Sequence, residues 1–215
     1  MARALASSPQ MLLMDEPLAA LDAPRKAEIL PYLERLQHEL SIPVVYVSHA
    51  IDEVARLAGH LVLLDSGRVT ASGPTVELLT RLDLSLAHGD AASAIVNATL
   101  SSHEPHYHLS VAEFAGGTLR VAQQDKAVGQ TLCIRVQARD VSLTLAPQTG
   151  TSILNILQVR VTALSTDGPG QMMVRLDAQG TPLLARVTQK SVETLQLHDG
   201  MQVYAQIKGV AILGT

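Results

Sequence analysis

The sequence predicts an α/β unit followed by a small all-β barrel. Three observations carry that prediction. Short apolar runs at residues 11–14 and 44–47 alternate with helical patterns over residues 1–82. A stretch of small and polar residues, 83–94, comes next. From residue 95 onward the apolar residues fall in short alternating segments, set off by turn residues about every 8–12 positions.

Taken in order, residues 1–8 read as the last turns of a helix stopped near Pro9. Residues 10–14 form a short apolar strand of the kind buried on both faces in a parallel sheet. Asp22-Ala23-Pro24 is a helix start, with Asp22 as cap and Pro24 in the first turn. Ile29, Leu30, Leu33, Leu36 and Leu40 then form a helical stripe. Pro31 lies inside that stripe and is expected to kink or split the helix. Residues 43–47 give a second buried strand, and 51–58 a short helix with Asp52 and Glu53 in its first turn. Residues 61–64 and 68–71 read as a hairpin around Asp65-Ser66-Gly67, and 75–82 as a final helix. This order implies a parallel sheet with right-handed crossovers.

Residues 83–94 read as a linker, leaving 95–215 as the β half. Strands are expected at 95–100, 107–114, 119–122, 131–136, 141–145, 157–164, 172–176, 183–187 and 203–207. Gly116-Gly117, Pro147, Asp167-Gly168-Pro169-Gly170 and Asp199-Gly200 separate some of them. No internal repeat stands out, although the half divides naturally into two modules near 146–150, the second covering about 151–215.

Composition narrows the function classes. Aromatic residues make up only 2% with no Trp, which removes the stacking platforms of single-strand nucleic-acid binders. A net charge of −4 argues against a phosphate-backbone partner. The single Cys133 excludes an internal disulfide framework and suits a reducing compartment. No apolar run approaches the roughly 20 residues of a membrane span. A cytoplasmic chain able to dock on a membrane protein is expected.

The candidate chemistry begins at Asp15-Glu16. A carboxylate at the C-terminal end of a buried parallel strand lies where α/β folds bind ligands. Asp15 there suits Mg²⁺ held through water, and Glu16 suits orienting or deprotonating an attacking water. His49 follows the second strand, so it belongs at the same sheet edge, where an imidazole can register a phosphate. Leu12-Leu13-Met14-Asp15-Glu16-Pro17, then Leu21-Asp22, then Ser48-His49, together resemble the Walker B strand, D-loop and switch histidine of an ABC-transporter ATPase. Ala2-Arg3-Ala4-Leu5-Ala6 resembles the segment after that family's signature motif. The resemblance implies Glu16 and His49 as catalytic residues, Asp15 and Asp22 as nucleotide-site residues, and ATP with Mg²⁺ as cofactors. It also implies that Asp22 faces a second subunit. No Gly-x-x-x-x-Gly-Lys-Ser/Thr occurs in the sequence, so the phosphate cradle is missing. The sequence is expected to be the later part of a longer reading frame, and by itself not to hydrolyse ATP.

In the β half, Thr151-Ser152-Ile153-Leu154-Asn155 and Tyr204-Ala205-Gln206-Ile207-Lys208 resemble the molybdate/tungstate-binding (TOBE or Mop type) barrel of molybdate-importer ATPases. The resemblance implies Ser152, Asn155 and Lys208 as oxyanion ligands. A tetrahedral dianion calls for such donors and a lysine charge. Leu154 stands where the family has Arg, and Gly209 where a small hydroxyl residue is common. The whole chain thus resembles the ATP-binding subunit of a molybdate ABC importer. That implies a homodimer on the inner face of the cell membrane, a permease partner and an extracytoplasmic molybdate-binding protein. A subunit for sulfate, iron or polyamine, and a stand-alone oxyanion-binding protein, remain as alternatives. His103-Glu104-Pro105-His106-Tyr107-His108 reads either as a polar hairpin corner or as a metal cluster.

Overall fold

The computed structural model describes residues 9–39 and 42–213. The expected helix at residues 1–8 and its Ala2–Ala6 motif lie outside the described residues. Strands β1 (Leu12–Asp15) and β2 (Val44–Val47) pair in parallel, from Leu12 against Val44 to Asp15 against Val47. Parallel neighbours need a crossover, and helix α1 (Ala23–Glu39) supplies it. The helix starts as read: Asp22 Oδ1 accepts the Arg25 N–H at 3.1 Å. Pro31, however, does not split it; the helix runs unbroken to Glu39. Leu30 and Leu33 flank the proline and are buried against Leu12, Met14, Leu18 and Leu57. That packing holds the turn together despite the lost backbone hydrogen bond.

The second face of this two-stranded sheet is open. Leu13 is 65% exposed, Val45 43% and Val47 44%. A groove of about 820 Å³ continues from β2 toward helix α2 (Ile51–Leu57) and strand β3 (His60–Asp65). The hairpin of β3 and β4 (Arg68–Pro74) turns on Ser66 and Gly67, both at positive φ, 50° and 75°. The next helix, α3, covers only Thr75–Leu78, shorter than the expected 75–82. Thr80, fully buried, turns its hydroxyl back onto the Glu77 carbonyl at 3.1 Å and so competes with helix continuation.

Residues 83–94, read as a linker, are packed against the β half. Ala87 and Ala92 are buried with Ala138, Met173 and Leu184. Asp167 accepts from the Gly89 N–H at 2.9 Å and lies within 3.0 Å of His88 Nδ1.

The β half contains two five-stranded sheets. The first contains β5 (Ser93–Glu104), β6 (Leu109–Phe114), β7 (Gly117–Ala122) and β8 (Thr131–Gln137). The second contains β9 (Val141–Thr144), β10 (Asn155–Thr166), β11 (Gln171–Ala178), β12 (Thr181–Thr188) and β13 (Gln202–Ile207). Most strands outrun their expected ends. Tyr107 instead lies in a 3₁₀ turn, Pro105–Tyr107, closed by His108 at φ 52°. Helix α4 (Gln189–Leu195), unforeseen, has Thr188 as its cap, accepting the Ser191 N–H at 3.0 Å.

The two modules are interlocked rather than divided at 146–150. Strand β9 leaves the first module and pairs with β13. A further strand missed in the sequence, β14 (Ala211–Leu213), leaves the second and pairs with β8. One apolar core serves both sheets, including Val96, Leu100, Leu119, Ile134, Leu157, Leu176, Leu183 and Val203. Gly116 marks a close approach between them. A Cβ there would meet Ala178 Cβ at 2.6 Å and its carbonyl oxygen at 2.7 Å. Gly116→Ala should therefore cost about 1–3 kcal/mol in urea unfolding. Gly59→Ala, where no heavy atom lies within 4 Å of the added carbon, should stay within about 0.5 kcal/mol.

Candidate functional site

The parallel register delivers Asp15 and Val47 to the same sheet edge. Glu16 follows at φ 43°, the left-handed region that non-glycine residues enter at a cost of about 1–3 kcal/mol. The turn is held by the Glu16 N–H on the Val47 carbonyl, 2.9 Å, and swings the side chain toward the segment after β2. There Glu16 Oε1 accepts the His49 backbone N–H at 3.0 Å and lies 2.7 Å from His49 Nδ1. A carboxylate only accepts, so the proton sits on Nδ1 and Nε2 faces outward. The His49 side chain is 83% exposed. Asp15, also exposed, adds a second carboxylate beside this pair. Asp22 is committed to capping α1.

Sequence reasoning missed what supports the pair. Glu53 is buried at the start of α2 and accepts from Lys26 Nζ at 2.8 Å, Tyr46 Oη at 2.6 Å and Ser48 Oγ at 3.0 Å. Ser48 Oγ in turn accepts the Ala50 N–H at 3.1 Å. His49 is thus held between two residues of a braced loop. Burial pushes the Glu53 carboxyl up, but the bonds from Lys26, Tyr46 and Ser48 win and hold it below the ordinary value. The same burial, with Glu53 alongside, pushes the Tyr46 phenol up. Glu53 looked like a helix-dipole residue; Ser48 and Tyr46, five and seven residues before it, were the available signal.

In the β half, Asn155 faces Ile207 across β10 and β13, which puts Ser152–Leu154 and Lys208 beyond the same end of that ladder. Ser152 and Lys208 are exposed, as is Leu154. Asn155 is buried, and both ends of its amide are engaged: Oδ1 accepts the Arg120 N–H at 2.7 Å, and Nδ2 donates to the Arg120 carbonyl at 3.0 Å. It fastens β7 to β10. A Cβ at Gly209 would lie 3.6 Å from Asp140 Oδ2, an ordinary contact.

The histidine-rich corner is hydrogen-bonded within the first module. His103 spans Ser110 Oγ and the Lys126 carbonyl, each at 3.0 Å, and His106 stacks edge-on with Tyr107. Among the described residues no group of three or more His, Cys, Asp and Glu is placed to hold a metal ion. Among them, too, no helix is long and apolar enough to cross a membrane.

The TOBE domain family matches residues 151–213. The molybdenum import ATP-binding protein ModC of Albidiferax ferrireducens is 67% identical over 213 residues, covering 99% of this chain and 58% of the relative. That of Pseudomonas fluorescens is 55% identical, covering 99% and 60%. The chain is similar to ModC proteins along almost its whole length, and its residues 151–213 match the TOBE domain. It corresponds to the C-terminal portion of these ModC proteins and spans 58–60% of their length. A solved structure of the cytoplasmic molybdate-binding protein ModG, with molybdate bound, aligns at a TM-score of 0.48 and 25% identity, covering 56% of this chain and 95% of that one.

Glu53→Gln should lower stability by about 1–3 kcal/mol at pH 7, because Lys26, Tyr46 and Ser48 lose a charged acceptor. The folded value is depressed, so this contribution is complete above the ordinary value of 4.5 and fades as pH falls below it. Urea unfolding of both proteins from pH 7 to pH 3 should show the gap closing only under acid conditions.

Proposed function

We propose that this ModC-like chain works within the ATP-binding, energising subunit of a molybdate ABC import system. The meeting of Glu16 and His49 at the ends of two parallel strands, with Asp15 beside them, carries this reading. The donor set fits Mg²⁺: an exposed carboxylate at a strand end, free to bind through water. It does not make a nucleotide site alone, because a Gly-Lys phosphate loop is absent from the 215 residues. Bound Mg²⁺ would neutralise charge on the terminal phosphates. Asp15 would hold it. Glu16 would orient the attacking water and take its proton, while His49 presents Nε2 to the γ-phosphate. Asp22 would face a second copy of the subunit. A membrane permease, fed by an extracytoplasmic molybdate-binding protein, would place the dimer on the inner face of the cell membrane.

The β half would bind molybdate or tungstate as a regulatory ligand. Ser152 would donate its hydroxyl and Lys208 its charge, and Asn155 would belong to the site through the frame it fastens. The TOBE match over 151–213 supports this part. The same feature favours the second reading, a stand-alone oxyanion-binding protein.

Two experiments separate the readings. Joined behind the unmatched part of the Albidiferax ferrireducens relative, this chain should hydrolyse ATP, and Glu16→Gln should cut the rate at least about 100-fold. No hydrolysis by the folded chimera would remove the ATPase reading. Calorimetric titration of the chain with molybdate in excess sulfate should give saturable heat, lost in Lys208→Ala. Heat without hydrolysis would favour the second reading.

A further inference from the structure

Strand β8 has two faces. Leu132, Ile134 and Val136 point into the barrel core and are fully buried. Arg135, between them, points out toward the α/β part and is itself only 7% exposed. Its Nε donates to Ser93 Oγ at 3.2 Å, and its Nη1 reaches Asp52 Oδ1 at 2.5 Å. A buried guanidinium is thereby matched with a carboxylate that is 66% exposed, in the first turn of α2. Apolar contacts surround the pair: Ile51 and Ala55 of α2 pack with Ile95, Cys133 and Leu213. Leu213 belongs to β14, so both β modules meet on this short helix.

The first turn of α2 is therefore held from two sides. Asp52 is tied to the β half and Glu53 to Ser48, Tyr46 and Lys26. The turn is continuous with Ser48-His49-Ala50, and the Glu53 N–H closes on the Ala50 carbonyl at 3.1 Å. We propose that Arg135 is a positioning residue for the Glu16–His49 pair, acting through Asp52 and the first turn of α2. It touches none of the groups that would meet a nucleotide. It fixes where α2 begins, and hence where His49 stands against Glu16. The β half thus sets the alignment of the pair through one ion pair. The functional weight of this alignment rests on the reading of Glu16 and His49 given above.

The test is amide hydrogen exchange in the ¹⁵N-labelled 215-residue chain at fixed pH, read by NMR. Two N–H groups matter: His49 on Glu16 Oε1, and Glu16 on the Val47 carbonyl. Asp52→Asn and Arg135→Gln should each speed exchange at His49 by about tenfold and leave Glu16 unchanged. The double variant should add nothing further, and Arg135→Lys should restore most of the protection. A purely structural tether would instead loosen both amides together. Equal loosening, or no change at His49 in a folded Asp52→Asn chain, overturns the proposal. Asp52 is exposed, so that variant keeps the test decisive if Arg135→Gln fails to fold. No nucleotide enters the measurement, so failure of the ATPase reading would appear in the chimera's hydrolysis and not here.

Discussion

The candidate site depends on the register of β1 against β2. With Leu12 opposite Val44, the ladder ends at Asp15 opposite Val47, and the residues just beyond fall within reach of each other. A slip of one residue would turn Leu12 and Met14 away from α1 and expose them. The core formed with Leu30, Leu33 and Leu57 therefore fixes the register, and the register places Glu16 near His49. The positive φ at Glu16 is held by the bond of its N–H to the Val47 carbonyl and by the bonds of its carboxylate to His49. Burial of a handful of leucines is converted into the position of one carboxylate.

Charge plays a different part in the interior. Glu53 and Asp167 are both nearly removed from water, and each is surrounded by several donors rather than a single cation. Asp167 joins Arg186 at 2.5 Å and also receives Gly89, so it fastens the 83–94 segment to the second module. Burial alone would raise its carboxyl; the Gly89 N–H, Arg186 and His88 hold it below the ordinary range. Such groups add little net stability but discriminate sharply among packings, because a misplaced neighbour leaves a buried charge unsatisfied.

Much of the fold was legible because it rests on local signals. Strand–helix–strand order, the Asp22 cap and the β3–β4 turn are all written within a few residues. Glu16 and His49 were legible as a pair because parallel strands end at a common edge. The rest required contacts between residues distant in sequence. Pro31 predicts a kink or a split; burial of Leu30 and Leu33 on either side keeps the helix continuous, so the split does not occur. The small residues of 83–94 read as open chain because alanine carries little hydrophobic signal, yet Ala87 and Ala92 fill close contacts with the β half. The bonds of Asn155 to Arg120, 35 residues earlier, are not visible in the sequence around Asn155. The interlocked sheets were hidden for the same reason. The order of the strands is visible in sequence, but which sheet each one joins is not.

That interlocking governs the order in which the molecule can be completed. Strand β8 waits for β14, the last of the described strands, and β9 waits for β13. Neither sheet is whole until residues 202–213 have emerged and docked. As the chain leaves the ribosome, the α/β part can settle early on local contacts, while β5–β8 remain open along one edge. Long-range closure of this kind slows folding and lengthens the time an unfinished edge is exposed. The β half is therefore a late-assembling unit, whose two sheets are both closed by residues 202–213.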